Sequence, residues 1–148
     1  MPVCYFRTED GRVLDLGTLC GKPAKNSANT TANAEDVKRL LTTKDCPGCN
    51  LRGANLAKAN LYFADLTGAN LAGANLTGAN LVGANLNDSN LVGANLSGAK
   101  LNGARMMGAN LNGASLANAN LLGANIINAN LNGVQLSITK MPDGKISK

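Results

Sequence analysis

The sequence predicts an all-β solenoid, in which short extended segments wind into a coil. Leucine recurs at every fifth position from Leu51 to Leu136, and Met106 and Ile126 stand in for it twice. A small residue, usually Ala, lies two positions before each of these eighteen centres, and Gly lies two positions after most of them. The repeating unit is therefore Ala-Asn-Leu-x-Gly.

A period of five fits neither regular secondary structure. On an α-helix five residues advance by roughly 140° net, so the leucines would form no apolar stripe. In a straight strand an odd period would place successive leucines on opposite faces. A chain that turns once per repeat keeps every Leu on one side, and Gly supplies the positive φ that a type II turn requires. We therefore expect Ala and Leu to point inward, and Asn and the variable residue to point outward.

The Ala-Asn-Leu-x-Gly run closely resembles the repeats of pentapeptide-repeat proteins, and the resemblance covers residues 49–138 of the 148-residue chain. It implies their fold, a right-handed quadrilateral β-helix with four repeats per coil, here of about 4.5 coils. The open ends of such a rod expose apolar core and unpaired strand edges, so a cap is expected at each end.

The N-terminal region, residues 1–48, is expected to hold a hairpin, a linker and a capping helix. Alternating residues between Val3 and Cys20 flank an Asp-Gly pair, which is a strong hairpin signal. The helix is expected to begin at Ala34, with Asn33 as its N-cap and Asp36 three positions further on. Its apolar face is formed by Val37, Leu40 and Leu41.

The C-terminal region, residues 139–148, is expected to form a short cap. The repeat fails after Ile138, and the segment from Met141 to Ile146 contains Pro-Asp-Gly, which predicts a turn that folds back. We expect Met141 and Ile146 to cover the upper end of the coil.

Four cysteines, Cys4, Cys20, Cys46 and Cys49, all lie at or before the first repeat. An even count beside a small hairpin favours disulfides and an oxidising compartment, with Cys4 to Cys20 as the first pairing expected. Three alternatives remain open: free structural thiols, a redox pair in the Cys-Pro-Gly-Cys segment, and a four-Cys zinc site. The redox pair lacks a βαβ context, and the zinc site lacks a second close pair.

Charge limits the classes of partner. The chain carries +5, but residues 49–138 hold only four basic and two acidic residues. Some pentapeptide-repeat proteins mimic DNA and bind topoisomerases, which requires rows of carboxylates that Asp65 and Asp88 cannot supply. Nucleic-acid binding is also disfavoured, because four scattered cations without aromatic platforms give little phosphate affinity. The four cations are Arg52, Lys58, Lys100 and Arg105.

No catalytic constellation, cofactor motif or metal-ligand set is recognisable, and His is absent. No run of eighteen apolar residues and no charged-then-apolar leader is present, so neither a membrane span nor an intact signal peptide is expected. A removed leader stays open. The lead-in from Thr43 to Leu51 and the Cys-flanked hairpin resemble those of cyanobacterial and plant members, some of them directed to the thylakoid lumen. That resemblance implies the thylakoid lumen or the periplasm, with the cytoplasm as the alternative.

The sequence therefore predicts a non-enzymatic structural or protein-interaction scaffold of unknown partner, with a redox-responsive protein acting through its N-terminal cysteines as the alternative. With twenty residues per coil, and counting the side that holds Leu51 as the first, large apolar residues fall at outward positions on the third and fourth sides. We expect an interaction surface there, unless a chain terminus or a homodimer contact covers it. The predicted surface consists of Tyr62, Val82, Met107, Leu122 and Ile127.

Overall fold

The computed structural model describes residues 5–7, 13–15 and 31–147. Two short strands, β1 (Tyr5–Arg7) and β2 (Val13–Asp15), pair antiparallel with Phe6 opposite Leu14. They lie on either side of the Asp-Gly pair from which the hairpin was predicted. One helix, α1 (Ala34–Thr43), precedes the repeats. Within the described ranges no helix has the length and apolar character needed to traverse a bilayer.

Helix α1 begins and ends on identifiable backbone signals. The Asn33 side chain accepts a hydrogen bond from the N–H of Glu35 at 2.9 Å, as an N-cap should. At the other end Lys44 adopts a left-handed conformation, and its N–H donates to the Leu40 carbonyl. Leu40 is fully buried and Val37 is partly buried, but Leu41 is 46% exposed. The prediction for Leu41 is wrong because one residue along a helix rotates the side chain by about 100°, away from the coil.

Asp36 attaches α1 to the repeats instead of completing a capping box. Its carboxylate accepts from the N–H of Asn50 at 2.8 Å, and the N–H of Asn33 donates to the Asn50 carbonyl at 2.9 Å. Backbone groups at the edge of a β ladder need partners when they leave water. The helix supplies two of them at the first repeat.

Parallel bridges join each residue before a centre to the residue twenty positions later, as in the pair Asn50 and Asn70. The N–H of Leu91 donates to the carbonyl of Asn110 at 2.7 Å, and the N–H of Asn110 donates back to the carbonyl of Ser89 at 2.9 Å. One circuit of the chain, here called a coil, thus holds four repeats. Each side is only a few residues long between corners, so the pairing consists of isolated bridges.

The corners have the positive φ that the repeat predicts. The N–H of the inward Ala closes each turn onto the preceding centre, as from Ala94 to Leu91 at 3.0 Å. Where Gly is replaced, the backbone keeps the left-handed conformation, with φ of 57° at Lys58 and 52° at Phe63. The tight corner dictates the conformation whatever the side chain. The other repeat corners without Gly are Asp88, Asn118, Asn128 and Ile138.

The inward positions form one continuous core. All centres from Leu51 to Leu116, including Met106, are at most 1% exposed. Burial is lost towards the C-terminal end, where Ile126, Leu131 and Leu136 are only partly buried. The two ends of the core therefore differ, because α1 packs on the first repeat and no comparable element among residues 31–147 packs on the last.

The ladder runs one repeat beyond each end of the Leu pattern. Before the first Leu, Asp45 bridges to Asp65 and Cys46 takes the place of a centre. After the last, Thr139 is fully buried at an inward position and Lys140 bridges to Asn120.

The chain then folds back, as the Pro-Asp-Gly segment predicts. Met141 donates to the Lys145 carbonyl at 2.8 Å, and Ile146 bridges antiparallel to Lys140. Met141 is partly buried, whereas Ile146 is 54% exposed. The prediction that Ile146 covers the upper end is therefore wrong, because the returning strand places its side chain towards solvent.

Candidate functional site

Hydrogen bonds hold the backbone of the residues with outward apolar side chains. At Tyr62, Leu122 and Ile127 the backbone N–H donates to the side-chain oxygen of the Asn two residues earlier, at 3.1 to 3.3 Å. Arg105 replaces that Asn before Met107, whose N–H donates instead to Asn87 one coil below, at 3.0 Å. The Asn of the repeat thus satisfies the N–H of the outward residue, which leaves that residue's side chain free for contact.

Four of the five predicted surface residues form two pairs of neighbours, and Leu122 lies two coils above Val82. Tyr62 and Val82 are neighbours in one column, because the N–H of Phe63 donates to the Val82 carbonyl. Met107 and Ile127 are neighbours in another column, because the N–H of Gly108 donates to the Ile127 carbonyl. Exposure is 51% for Tyr62, 44% for Met107, 42% for Leu122 and 61% for Ile127, while Val82 is half-buried.

The C-terminal turn passes beside Leu122. A Cβ at Gly144 would lie 3.6 Å from a Leu122 methyl, and the Pro142 carbonyl accepts from the N–H of Gly123. The turn therefore contacts one member of the surface without covering it. We call Met107, Leu122 and Ile127 the upper apolar group.

Sequence reasoning missed Phe63, which is 65% exposed. Its ring makes an edge-to-face contact with Tyr62 at 4.4 Å between centroids, and it lies over Gly83, where a Cβ would come within 2.7 Å of the ring. The signal was present, because Phe63 is the one aromatic residue at a corner position that normally holds Gly. We call Tyr62, Phe63 and Val82 the lower aromatic group.

Cys46 and Cys49 form a disulfide across a single corner of the coil. Cys46 occupies a centre and Cys49 the following inward position, so both sulfurs lie in the core, with exposures of 0% and 4%. The Cys46 sulfur lies 3.3 Å from the carbonyl oxygen of Asp36 in α1. The expected disulfide chemistry is thus present in this pair. Cys4 and Cys20 lie outside the described residues, and their pairing stays a prediction.

Charged side chains are dispersed over the coil. The Thr67 hydroxyl, which donates to Asp65 at 2.6 Å, holds the pKa of that carboxyl below its ordinary value. The Thr67 N–H and the more distant Arg105 act in the same direction. In the C-terminal turn, hydrogen bonds from Lys145 lower the pKa of the exposed Asp143.

Among residues 31–147 no group of His, Cys, Asp or Glu could hold a metal ion. Every buried polar side-chain atom in that range has a hydrogen-bond partner.

Comparison with known proteins agrees with the repeat architecture. The family model "Pentapeptide repeats" matches in eight copies over residues 45–73, 69–106 and 104–141. The matched range includes the additional repeats at Cys46 and Met141. Comparison with curated proteins gives no match.

Several solved structures are similar to this chain. A pentapeptide repeat protein from the Arabidopsis thaliana thylakoid lumen is 32% identical, with a TM-score of 0.63 over 73% of this chain and 72% of that one. Rfr23 from the cyanobacterium Cyanothece 51142 is 31% identical, with a TM-score of 0.42 over 73% and 95% of the two chains. HetL from Nostoc sp. strain PCC 7120, a pentapeptide repeat protein involved in heterocyst differentiation regulation, is 37% identical, with a TM-score of 0.36 over 70% and 55%. The family match and the Arabidopsis relative imply a right-handed quadrilateral β-helix.

Proposed function

Since the chain belongs to the pentapeptide-repeat family, we propose that it is a non-enzymatic scaffold that binds a partner protein through outward side chains of the coil. The observation that carries the proposal is the exposure of large apolar side chains on a backbone already fixed by the ladder and by the Asn side chains. Contiguous exposed apolar surface marks interaction sites, and a preorganised surface loses little entropy on binding.

We further propose the domain division that the sequence predicts. Residues 1–48 comprise the hairpin, a linker and the capping helix, residues 49–138 the Leu-centred repeats of the β-helix, about 4.5 coils, and residues 139–148 the C-terminal cap. The ladder itself extends across both boundaries, from Asp45 to Lys140. Two observations support the assignment of the caps: the contacts of α1 with Asn50, and the turn that begins at Met141.

The upper apolar group is the surface to test. Leu122→Lys combined with Ile127→Lys should leave thermal stability nearly unchanged, because both side chains are exposed. The same variant should lose the self-association or the partner capture from native extract that the unmodified protein shows.

The matched control is Val92→Lys combined with Asn112→Lys. These residues are exposed at the same position of the repeat on the side that holds Leu51, away from the open edge, and they receive the same added charge. Capture should survive in the control. If the Leu122 and Ile127 variant unfolds, those side chains belong to the core, and if its capture is unimpaired, the surface is not the binding site.

We propose an oxidising compartment, the thylakoid lumen or the periplasm, as the location. The Cys46–Cys49 disulfide and the similarity to a thylakoid-lumen protein support it. Subcellular fractionation with thiol trapping should find the protein in that compartment with this pair oxidised. A cytoplasmic protein with both thiols reduced would contradict the proposal.

A redox-responsive role is the second candidate, and the same disulfide favours it. Reduction by an added dithiol takes up two electrons and two protons and leaves two buried thiols where the repeat normally has Leu and Ala. If the role is correct, reduction should release α1 and alter partner capture. Capture that is identical in both redox states would reject this role and leave the scaffold proposal intact.

A further inference from the structure

The C-terminal edge of the coil carries backbone donors without acceptors. In the preceding coil the centre and corner N–H groups each donate upward, as from Leu116 to Gln135 and from Asn118 to Ser137, both at 2.8 Å. In the last coil six equivalent N–H groups find no acceptor among the described residues. Two of them, at Leu136 and Ile138, lie on the side where the tail ends. The other four lie on two adjoining sides and belong to Ile126, Asn128, Leu131 and Gly133. We call residues 125–134 the open edge.

The open edge is rich in donors. In each repeat two N–H groups but only one ladder carbonyl point to the C-terminal end. That carbonyl belongs to the inward Ala and accepts from the next coil, as Ala114 accepts from the N–H of Gln135. The only ladder carbonyls left open along this edge are therefore those of Ala129 and Val134. An occupant must supply more acceptors than donors. Two copies of this edge facing each other would oppose donors to donors, which disfavours a second copy of the chain as the occupant.

Apolar surface accompanies these donors. Ile126, Leu131 and Val134 are half-buried, whereas Met106 and Leu111, in the same columns one coil below, are fully buried. Burying such side chains is favourable by about 25 cal/mol per Å² of apolar surface removed from water. A segment with small apolar residues facing inward would complete the core at this end.

The neighbouring side shows how the edge is filled. The N–H groups of Leu121 and Gly123 donate to the carbonyls of Lys140 and Pro142, at 2.8 and 3.0 Å. Both N–H groups on that side are therefore satisfied by two carbonyls that are two residues apart, the second of which belongs to a Pro. The returning strand then ends over Leu136, where the Ser147 hydroxyl donates to its carbonyl. The described part of the tail, which ends at Ser147, thus leaves residues 125–134 uncovered.

The charge near the open edge is positive. Arg105 lies in the same column as Asn125, one coil below, and its side chain is exposed. Lys140 lies on the adjoining side, and Lys145 is paired with the acid of the turn, Asp143, at 3.0 Å. The excess of N–H donors adds partial positive charge to this end. A carboxylate placed above Asn125 would therefore be attracted.

We propose that the open edge binds an acidic segment of a partner protein, which adds to the ladder as a further length of coil and turns one corner. This is β-augmentation on a solenoid end, with main-chain hydrogen bonds supplying affinity and the acidic side chains selectivity. The segment would offer carbonyls to the four free N–H groups and carboxylates to Arg105. The open edge is a second surface of the proposed scaffold. Its backbone donors point to the C-terminal end, whereas the upper apolar group, which shares Ile127 with this segment, points outward.

The test uses the full chain, labelled with ¹⁵N, and a capped peptide of two Ala-Asp-Val-Pro-Gly units. Binding should shift the amide signals of Ile126, Asn128, Leu131 and Gly133 and slow their exchange with solvent. The same peptide with Lys in place of Asp should bind more weakly by about tenfold, and added salt should reduce the difference. Absence of shifts at these four amides, or equal binding of the Lys peptide, would overturn the proposal.

Two charge variants supply the matched comparison. Arg105→Glu should weaken binding of the Asp peptide by about fivefold. Lys100→Glu changes an exposed residue five positions earlier, on the side of the coil that the tail covers, and should leave binding unchanged. Equal effects of the two would refute the placement of the acid.

Two further results would count against the proposal in recognisable ways. Protection of the four amides without peptide, together with a doubled mass in light scattering, would make a second copy the occupant. Shifts at Met107 and Leu122 without shifts at the four amides would place the peptide on the upper apolar group, which would overturn the open-edge site and leave the scaffold proposal standing.

Discussion

At the scale of single residues, the Asn before each centre has a specific role. Its side-chain oxygen accepts from the N–H of the outward residue, as Asn95 accepts from Ser97 at 3.0 Å. That N–H points away from the ladder and would otherwise depend on water. Each repeat therefore has a Leu that fills the core beside an Asn that accepts a hydrogen bond from the outward-facing backbone. Substitutions at the two positions should differ sharply in their effect on stability.

Leu96→Asp and Asn95→Asp compare these positions with the same new side chain. Leu96 is fully buried, so its replacement buries an unpaired carboxylate and should destabilise the fold by more than about 4 kcal/mol. Asn95 is exposed, and Asp keeps the acceptor, so its replacement should cost less than about 1 kcal/mol. Thermal denaturation of both proteins checks this. Equal losses would refute the assignment of inward and outward positions.

Asp65 makes a prediction about pH. The Thr67 hydroxyl, the Thr67 N–H and Arg105 lower the pKa of its carboxyl from the ordinary 3.8. A carboxyl with a depressed folded-state pKa contributes stability that is complete above the ordinary value and is lost as the pH falls through the lowered one. Asp65→Asn should therefore lose less stability on acidification than the unmodified protein. Denaturation at pH 7 and at about pH 3 measures the difference.

Hydroxyl removal provides the control for Asp65. Thr67→Val should raise the pKa of Asp65 in a carboxyl NMR titration, because the first of these hydrogen bonds is lost. Thr77 makes the same contact with the neutral Asn75, at 2.7 Å, so Thr77→Val should leave that titration unchanged. An unaltered Asp65 titration in the Thr67 variant would contradict the stated cause.

Corner residues allow a test of backbone strain. Ile138 is β-branched, has φ of 54° and is 64% exposed, so it gains little from packing. Ile138→Gly should stabilise the protein by about 1 kcal/mol, because the left-handed conformation is costly for Ile. Asn118→Gly, at φ of 58°, should have almost no effect, since Asn tolerates this conformation. Urea denaturation of the two variants measures both changes in stability. A larger gain in stability from Asn118→Gly would contradict backbone strain at Ile138.

At the scale of elements, α1 shows where sequence reasoning reaches its limit. The start of the helix at Ala34 and the N-cap at Asn33 follow from local residues alone, and both are observed. The contact of Asp36 with Asn50 joins residues fourteen apart and depends on where the helix lies against the coil. A capping-box pattern can describe only the local alternative. Long-range placement of a side chain is not encoded in spacing.

Asp36→Ala tests this attachment. The change leaves the N–H of Asn50 without its acceptor and should cost about 1 to 3 kcal/mol. It should also speed reduction of the Cys46–Cys49 disulfide by a dithiol, because α1 covers the Cys46 sulfur. Glu35→Ala, one residue away at an exposed position, should do neither. Equal reduction rates in the two variants would show that α1 does not protect the disulfide.

At the scale of the whole molecule, each coil contacts only its neighbours, so the repeat explains most of the fold. The Leu period, the inward Ala and the corner conformation could all be derived from the sequence, because the same local rule applies in every repeat. The repeat at Cys46 was missed because Lys44, Asp45 and Cys46 replace the consensus Ala, Asn and Leu, although the backbone pairing of the repeat is kept. The loss of core burial at Ile126 and Leu131 was also missed, since it depends on the absence of a covering coil rather than on their identity.

Residues nineteen apart share backbone hydrogen bonds throughout the coil, and this ladder ends at the open edge. Amide hydrogen exchange, followed residue by residue with ¹⁵N NMR, tests this arrangement most directly. The amides of Leu91 and Leu101, which donate to Asn110 and Asn120 at 2.7 Å, should exchange slowly, at rates limited by unfolding. Those of Ile126 and Leu131 should exchange rapidly. Equally rapid exchange at all four would contradict the ladder, and equally slow exchange would contradict the open edge.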